Sequence, residues 1–243
     1  MDHPIFGIAG NSPGHMQAAG EMGSGAEDPK PEGIFAIFLP GDASYLGVNP
    51  VSSGEIAFPS KEQGTNVQSE AEVLVKTKLS YFKRNNKLGE LRQVEMESYT
   101  LCDDVSIRKG AATKLSPRKN WGEKSMIIAE EFRDDFSNLS KTPITSSITR
   151  DGMTHKYGLP LFVHQYKLFG EELCAWIVET VTNQRETEKF SPLADYFKAH
   201  QPEYAYFAVG GGDYSEFALE NFLQPGDQMQ LEMGELSIEY KII

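Results

Sequence analysis

The sequence predicts a strand-rich α+β fold, a mixed β-roll or sandwich with few helices. Two observations carry that expectation. Runs rich in β-branched and aromatic residues recur at 34–40, 71–82, 94–102 and 205–209, each flanked by Gly-, Pro- or Asn-bearing turns. They do not alternate regularly with helical stretches, which argues against a doubly wound parallel sheet. A length of 243 residues with 40% hydrophobic composition suffices for one large core. The expectation is a single domain over residues 1–243, with an N-terminal segment at 1–33 and a β-rich core from 34 to 243.

In chain order, residues 9–33, "AGNSPGHMQAAGEMGSGAEDPKPEG", are rich in Gly and Pro and read as a long, lid-like loop. "IFAIFLP" follows as a strand, then "PGD" and "GVNPVSSGE" as turns. "AEVLVKTKLSYF" and "VEMESYTLC" are strands joined by a turn at "RNNKLGE". "PLFVHQYKLFGEELCAWIVETV" reads as long strands about a turn at Gly170. "SPLADYFKAH" reads as a short helix capped by Ser191 with Pro192 in its first position. "AYFAV" is a strand, and "QMQLEMGELSIEY" closes the chain as a hairpin about Gly234.

A formal charge of −12 argues against nucleic acid as the main partner. Residues 76–124 nevertheless carry 12 Lys/Arg against 6 Asp/Glu. That excess is either a set of solvated loops such as "FKRNNK" and "KLSPRK" or a positive field that attracts a small anionic substrate. No apolar run approaches the ~18 residues of a membrane span, and "MDHPIFGIAGN" lacks the layout of a signal peptide, so the expected address is the cytoplasm. Cys102 and Cys174 form no ligand spacing and read as free, buried thiols. The five histidines make no HxH or HExxH pattern, so any metal would be held by oxygen.

"QSEAEVLVK" sets Glu70 and Glu72 on one face of a strand and Ala71, Val73 and Val75 on the other. From these residues alone the pair is either a solvated strand face or half of an oxygen-donor site. In the later strand, Val94, Met96, Cys102 and Asp104 share one parity, and Glu95, Glu97 and Asp103 the other. Asp104 thus falls on the apolar face, where a carboxylate must be paired, protonated or metal-bound.

"EAEVLV", "CDDVSIRKG" and "GEKS" together resemble the fumarylacetoacetate hydrolase (FAH) superfamily, whose core runs E-x-E-L, N-D-x-S-x-R and G-K-S-F. Glu72 and Asp104 are 32 residues apart and Asp104 and Lys124 are 20 apart, in keeping with that order. "GNSPGHMQAAGE" is similar to the family's N-x-x-x-H segment, and "VGGGDYS" with "LQPGD" to its G-T-P-x-G and L-x-P-G-D close. The resemblance implies the fold of the family's C-terminal domain and a divalent cation on Glu70, Glu72 and Asp104. Mg²⁺ or Mn²⁺ suits such a set, with Ca²⁺ admitted by a looser geometry. Arg108 and Lys124 match substrate-side cations, His15 the catalytic histidine, and Gly211 the Thr of the G-T-P turn. Three departures stand out: Ala18 where the family has the lid Glu, Ala111 where it has a polar residue, and Lys109 in place of an acid.

The implied activity is hydrolysis, decarboxylation or isomerisation of a small 2-oxo or β-dicarbonyl acid by a homodimer. A non-catalytic binding or assembly module that keeps a structural cation is the alternative. "VGGGDYS" lacks a dinucleotide or P-loop pattern, and no G-x-S-x-G elbow occurs.

Overall fold

The computed structural model describes residues 2–12, 29–84, 87–110 and 112–243. Among them the chain begins with β1 (Ile5–Ala9), β2 (Gly33–Phe38), β3 (Val51–Ser52), β4 (Glu55–Ile56) and β5 (Thr65–Gln68). Two long strands follow, β6 (Ala71–Arg84) and β7 (Lys87–Asp103), then β8 (Ser106–Lys109), α1 (Ser116–Lys119) and β9 (Met126–Ile128). The second half contains β10 (Ile144–Arg150), β11 (Met153–Leu161), α2 (Gly170–Asn183), α3 (Ala194–His200), β12 (Tyr204–Ala208), α4 (Glu216–Glu220), β13 (Gln228–Met233) and β14 (Leu236–Ile242).

The strands form a seven-stranded sheet in the order β2-β1-β12-β6-β7-β9-β3, a five-stranded sheet β11-β10-β13-β14-β4, and the pair β5-β8. Val73, Val75 and Leu101 of the larger sheet meet Ile148, Leu231 and Ile238 of the smaller one in the main core. The opposite face of the larger sheet is covered as well, since Leu74, Cys102, Phe35 and Tyr206 pack with Leu115 and Phe190. Burial on both faces accounts for the consecutive buried residues Val73, Leu74 and Val75 near the start of β6.

The expected strand-rich α+β class is the observed one, with local differences. β1 (Ile5–Ala9), in the segment set apart from the core, is a strand of the larger sheet, and residues 162–169, expected as strand, lie beyond the end of β11. Residues 170–181 form the helix α2 rather than a strand: Leu173, Ile177 and Val181 recur every four residues and are buried, a helical spacing that the β-branched content of "CAWIVETV" obscured. α3 begins at Ala194 with the buried Leu193 at its N-cap, two residues beyond Ser191, because Leu193 is pulled into the core. The hairpin about Gly234 is as expected, with φ of 64° at that glycine.

Candidate metal centre

Glu70 and Glu72 stand at the head of β6, and Asp104 follows the end of β7 beside it, with Ala71 opposite Asp103 and Glu72 opposite Cys102. The Asp104 N–H donates to the Glu70 carbonyl at 3.1 Å, which closes the ladder at this edge. One oxygen from each of Glu70, Glu72 and Asp104 lies within 4.8 Å of the others, and all three residues are buried. The sequence order alone placed these acids apart; antiparallel pairing of β6 and β7 brings them together.

Asp103 fixes the approach. Its carboxylate accepts from Ser69 Oγ at 2.5 Å, from the Glu70 N–H at 2.8 Å and from Tyr240 Oη at 2.6 Å. It therefore ties the start of β6 to β14 of the other sheet. Strict alternation put Asp103 with Glu95 and Glu97 on the more polar face, yet Asp103 is fully buried. The reason is a bulge: Lys76 pairs with Ser98 and Thr77 with Met96, so Glu97 is an extra residue and the parity of β7 reverses there.

Two side-chain cations reach the cluster. Arg108, on β8, donates to Gln68 Oε1 at 2.9 Å, to Tyr214 Oη at 2.6 Å and to Glu70. Lys119, only 4% exposed, donates to Glu70 and lies 2.9 Å from Asp104 Oδ2. Lys124, by contrast, has a left-handed φ of 60° in its turn and pairs with Glu55 at 2.7 Å, its side chain 44% exposed. The structure thus puts Lys119 where the sequence order suggested Lys124. Lys119 lay hidden in "KLSPRK", part of a basic excess read as either solvated loops or an anion-attracting field. Its one signal was that Leu115 and Lys119 are four apart on a helical turn, so a buried Leu carries the Lys inward.

Gly211 is at the site: a Cβ there would sit 3.2 Å from Glu70 Cβ and 3.4 Å from Glu72 Oε1. The neighbouring Gly210 N–H donates to Glu72 Oε2 at 2.8 Å. The small cavity over the carboxylates is walled by Ile8, Phe35, Leu115 and Asn11. His15, with Ala18 and Glu21, lies outside the described residues, as does Ala111.

Burial pushes the Glu72 carboxyl up to about 8, reinforced by the charge of Asp104 and opposed by Lys119 and the Gly210 N–H. Burial likewise raises Asp103 to about 6, against the hydrogen bonds from Ser69 and Tyr240. Like charges ~4 Å apart repel by roughly 4 kcal/mol at an effective dielectric near 20. Part of the relief comes from the protein itself, through Lys119 and Arg108. Once Glu72 sheds its proton, three carboxylates face two cations, and an all-oxygen, buried donor set of this kind fits a hard divalent ion.

A family model described as "Family of unknown function (DUF5718)" matches residues 23–234. The chain belongs to the DUF5718 family. No curated protein matches this DUF5718 chain in sequence. Among solved structures, that of Cg1458 with inhibitor superposes with a TM-score of 0.67 at 17% identity, over 100% of this chain and 77% of the other. 2-Keto-3-deoxy-D-arabinonate dehydratase complexed with magnesium and 2,5-dioxopentanoate gives 0.58 at 13% identity, over 99% and 73%. A Yersinia pestis CO92 protein described as of the fumarylacetoacetate hydrolase family gives 0.56 at 11% identity, over 100% and 94%. The DUF5718 chain therefore has the fold of the FAH superfamily.

Proposed function

We propose that the protein is a divalent-metal-dependent hydrolase, lyase or isomerase of a small 2-oxo or β-dicarbonyl acid. The observation that carries this reading is the buried meeting of Glu70, Glu72 and Asp104 with Lys119 and Arg108 at one cavity. Glu70, Glu72 and Asp104 would hold Mg²⁺ or Mn²⁺, which supplies Lewis-acid polarisation of a keto oxygen. Arg108 and Lys119 attract and orient the acid's carboxylate, and their charge favours an enolate developing beside it. Phe35 and Leu115 exclude water from that face. His15 is the candidate proton carrier in the segment that precedes β2. The dehydratase complex with magnesium and 2,5-dioxopentanoate supports the reading, since a relative of this fold accommodates such a pair.

The test is turnover of an acylpyruvate that carries a single carboxylate by purified protein with Mn²⁺, and its loss in Asp104→Asn. A second reading, a binding or assembly module around a structural cation, is favoured by Ala18 standing where the superfamily has its lid Glu. Tight metal binding without turnover of a broad panel of 2-oxo acids selects that reading. Retained turnover in His15→Ala removes the histidine from the chemistry.

A further inference from the structure

We propose that the cavity selects 2-oxo acids carrying one carboxylate and an uncharged tail over the corresponding dicarboxylates. This rests on the reading that a divalent ion sits on Glu70, Glu72 and Asp104, and it goes on to specify the substrate class.

Among the described residues, Arg108 and Lys119 are the Arg and Lys that line the cavity, and both are directed at Glu70. Residues 13–28 contain no Lys or Arg in sequence, only the acids Glu21, Glu27 and Asp28 with His15. Two side-chain cations and one divalent ion against three carboxylates leave a single positive charge. One substrate carboxylate cancels it. The buried Asp103, one residue from Asp104, is turned to Ser69 and Tyr240 and is not among the residues that line the cavity.

Away from the charges, the apolar wall is Ile8, Phe35 and Leu115, with the uncharged Ser12 beside it. The Phe35 ring is seated there because residue 7 is glycine: a Cβ on Gly7 would lie 2.2 Å from the ring. Asn11 also lines the cavity, but its amide donates to the Val209 carbonyl at 2.8 Å and the Leu168 carbonyl at 3.1 Å. A second carboxylate would lose its water against apolar carbon with no cation to meet it, a cost that an alkyl tail does not incur.

The probe pair is 2-oxopentanoate and 2-oxoglutarate, acids of equal chain length that end in a methyl group and a carboxylate. Calorimetric titration of the Mn²⁺-loaded protein should show 2-oxopentanoate binding at least about tenfold more tightly. Leu115→Arg should close or reverse that gap, with circular dichroism verifying the fold; if it does not fold, the wild-type comparison decides. Mn²⁺ uptake with 2-oxoglutarate bound equally or better, or with neither acid bound, overturns this inference alone. Failure to take up Mn²⁺ overturns the metal reading and this inference with it.

Discussion

Lys119 holds Asp104 at two points, its ammonium 2.9 Å from Oδ2 and 3.0 Å from the residue's own carbonyl oxygen. A cation is thereby built into the acidic cluster from α1, not from the turn that carries Lys124. Lys119→Met should abolish turnover and destabilise the protein by about 3–5 kcal/mol, because it removes the buried ammonium that Glu70 and Asp104 share. Lys124→Ala should leave both activity and melting temperature near wild type. Urea denaturation and steady-state kinetics of the two variants check this; equal effects would contradict it.

Stability in chelator should fall as pH rises. Glu72 is pushed up to about 8 and Asp103 to about 6 in the folded protein, whereas unfolded carboxyls titrate near ~4. Between those values the folded chain binds more protons than the unfolded chain, so unfolding becomes easier with each rise in pH. The decline should run from about pH 4 to about pH 8, and Glu72→Gln should flatten its upper part. Denaturation at several pH values with chelator present tests the sign. Metal affinity should move the opposite way, strengthening toward pH 8 as Glu72 sheds its proton.

Arg108 meets Gln68, Tyr214 and Glu70 at once. A lysine presents a point charge and cannot span that fork. Arg108→Lys should therefore raise KM for the 2-oxo acid by about tenfold or more with a smaller change in kcat. Steady-state kinetics with Mn²⁺ held saturating measures the split, and an unchanged KM would remove Arg108 from substrate binding.

Gly7→Ala should destabilise the protein by about 1–3 kcal/mol through overpacking, since the new methyl would meet the Phe35 ring. A thermal melt reads the loss directly. A melting temperature at or above that of wild type would contradict the seating of Phe35.

Much of the site was legible because strand pairing is regular. Glu70 and Glu72 share a face by simple alternation, and the antiparallel partner of β6 had to end near Asp104. Asp103 was misplaced because one extra residue, Glu97, reverses parity and leaves no local mark in the sequence. Lys119 was obscured by neighbours of its own kind: Lys114, Arg118 and Lys124 are equally basic, and only packing of Leu115 singles out the buried one. α2 was misread because Ile, Val and Thr favour strands by composition, while burial of Leu173, Ile177 and Val181 against the core decided for a helix.

In the proposed function, Glu70, Glu72 and Asp104 together hold one divalent ion. Calorimetric titration of the chelator-stripped protein with Mn²⁺ tests it most directly, with Asp104→Asn beside the wild type. The prediction is one ion per chain in the wild type and a loss of affinity of about a hundredfold or more in the variant. No Mn²⁺ uptake by the wild type, or equal uptake by both proteins, would contradict it.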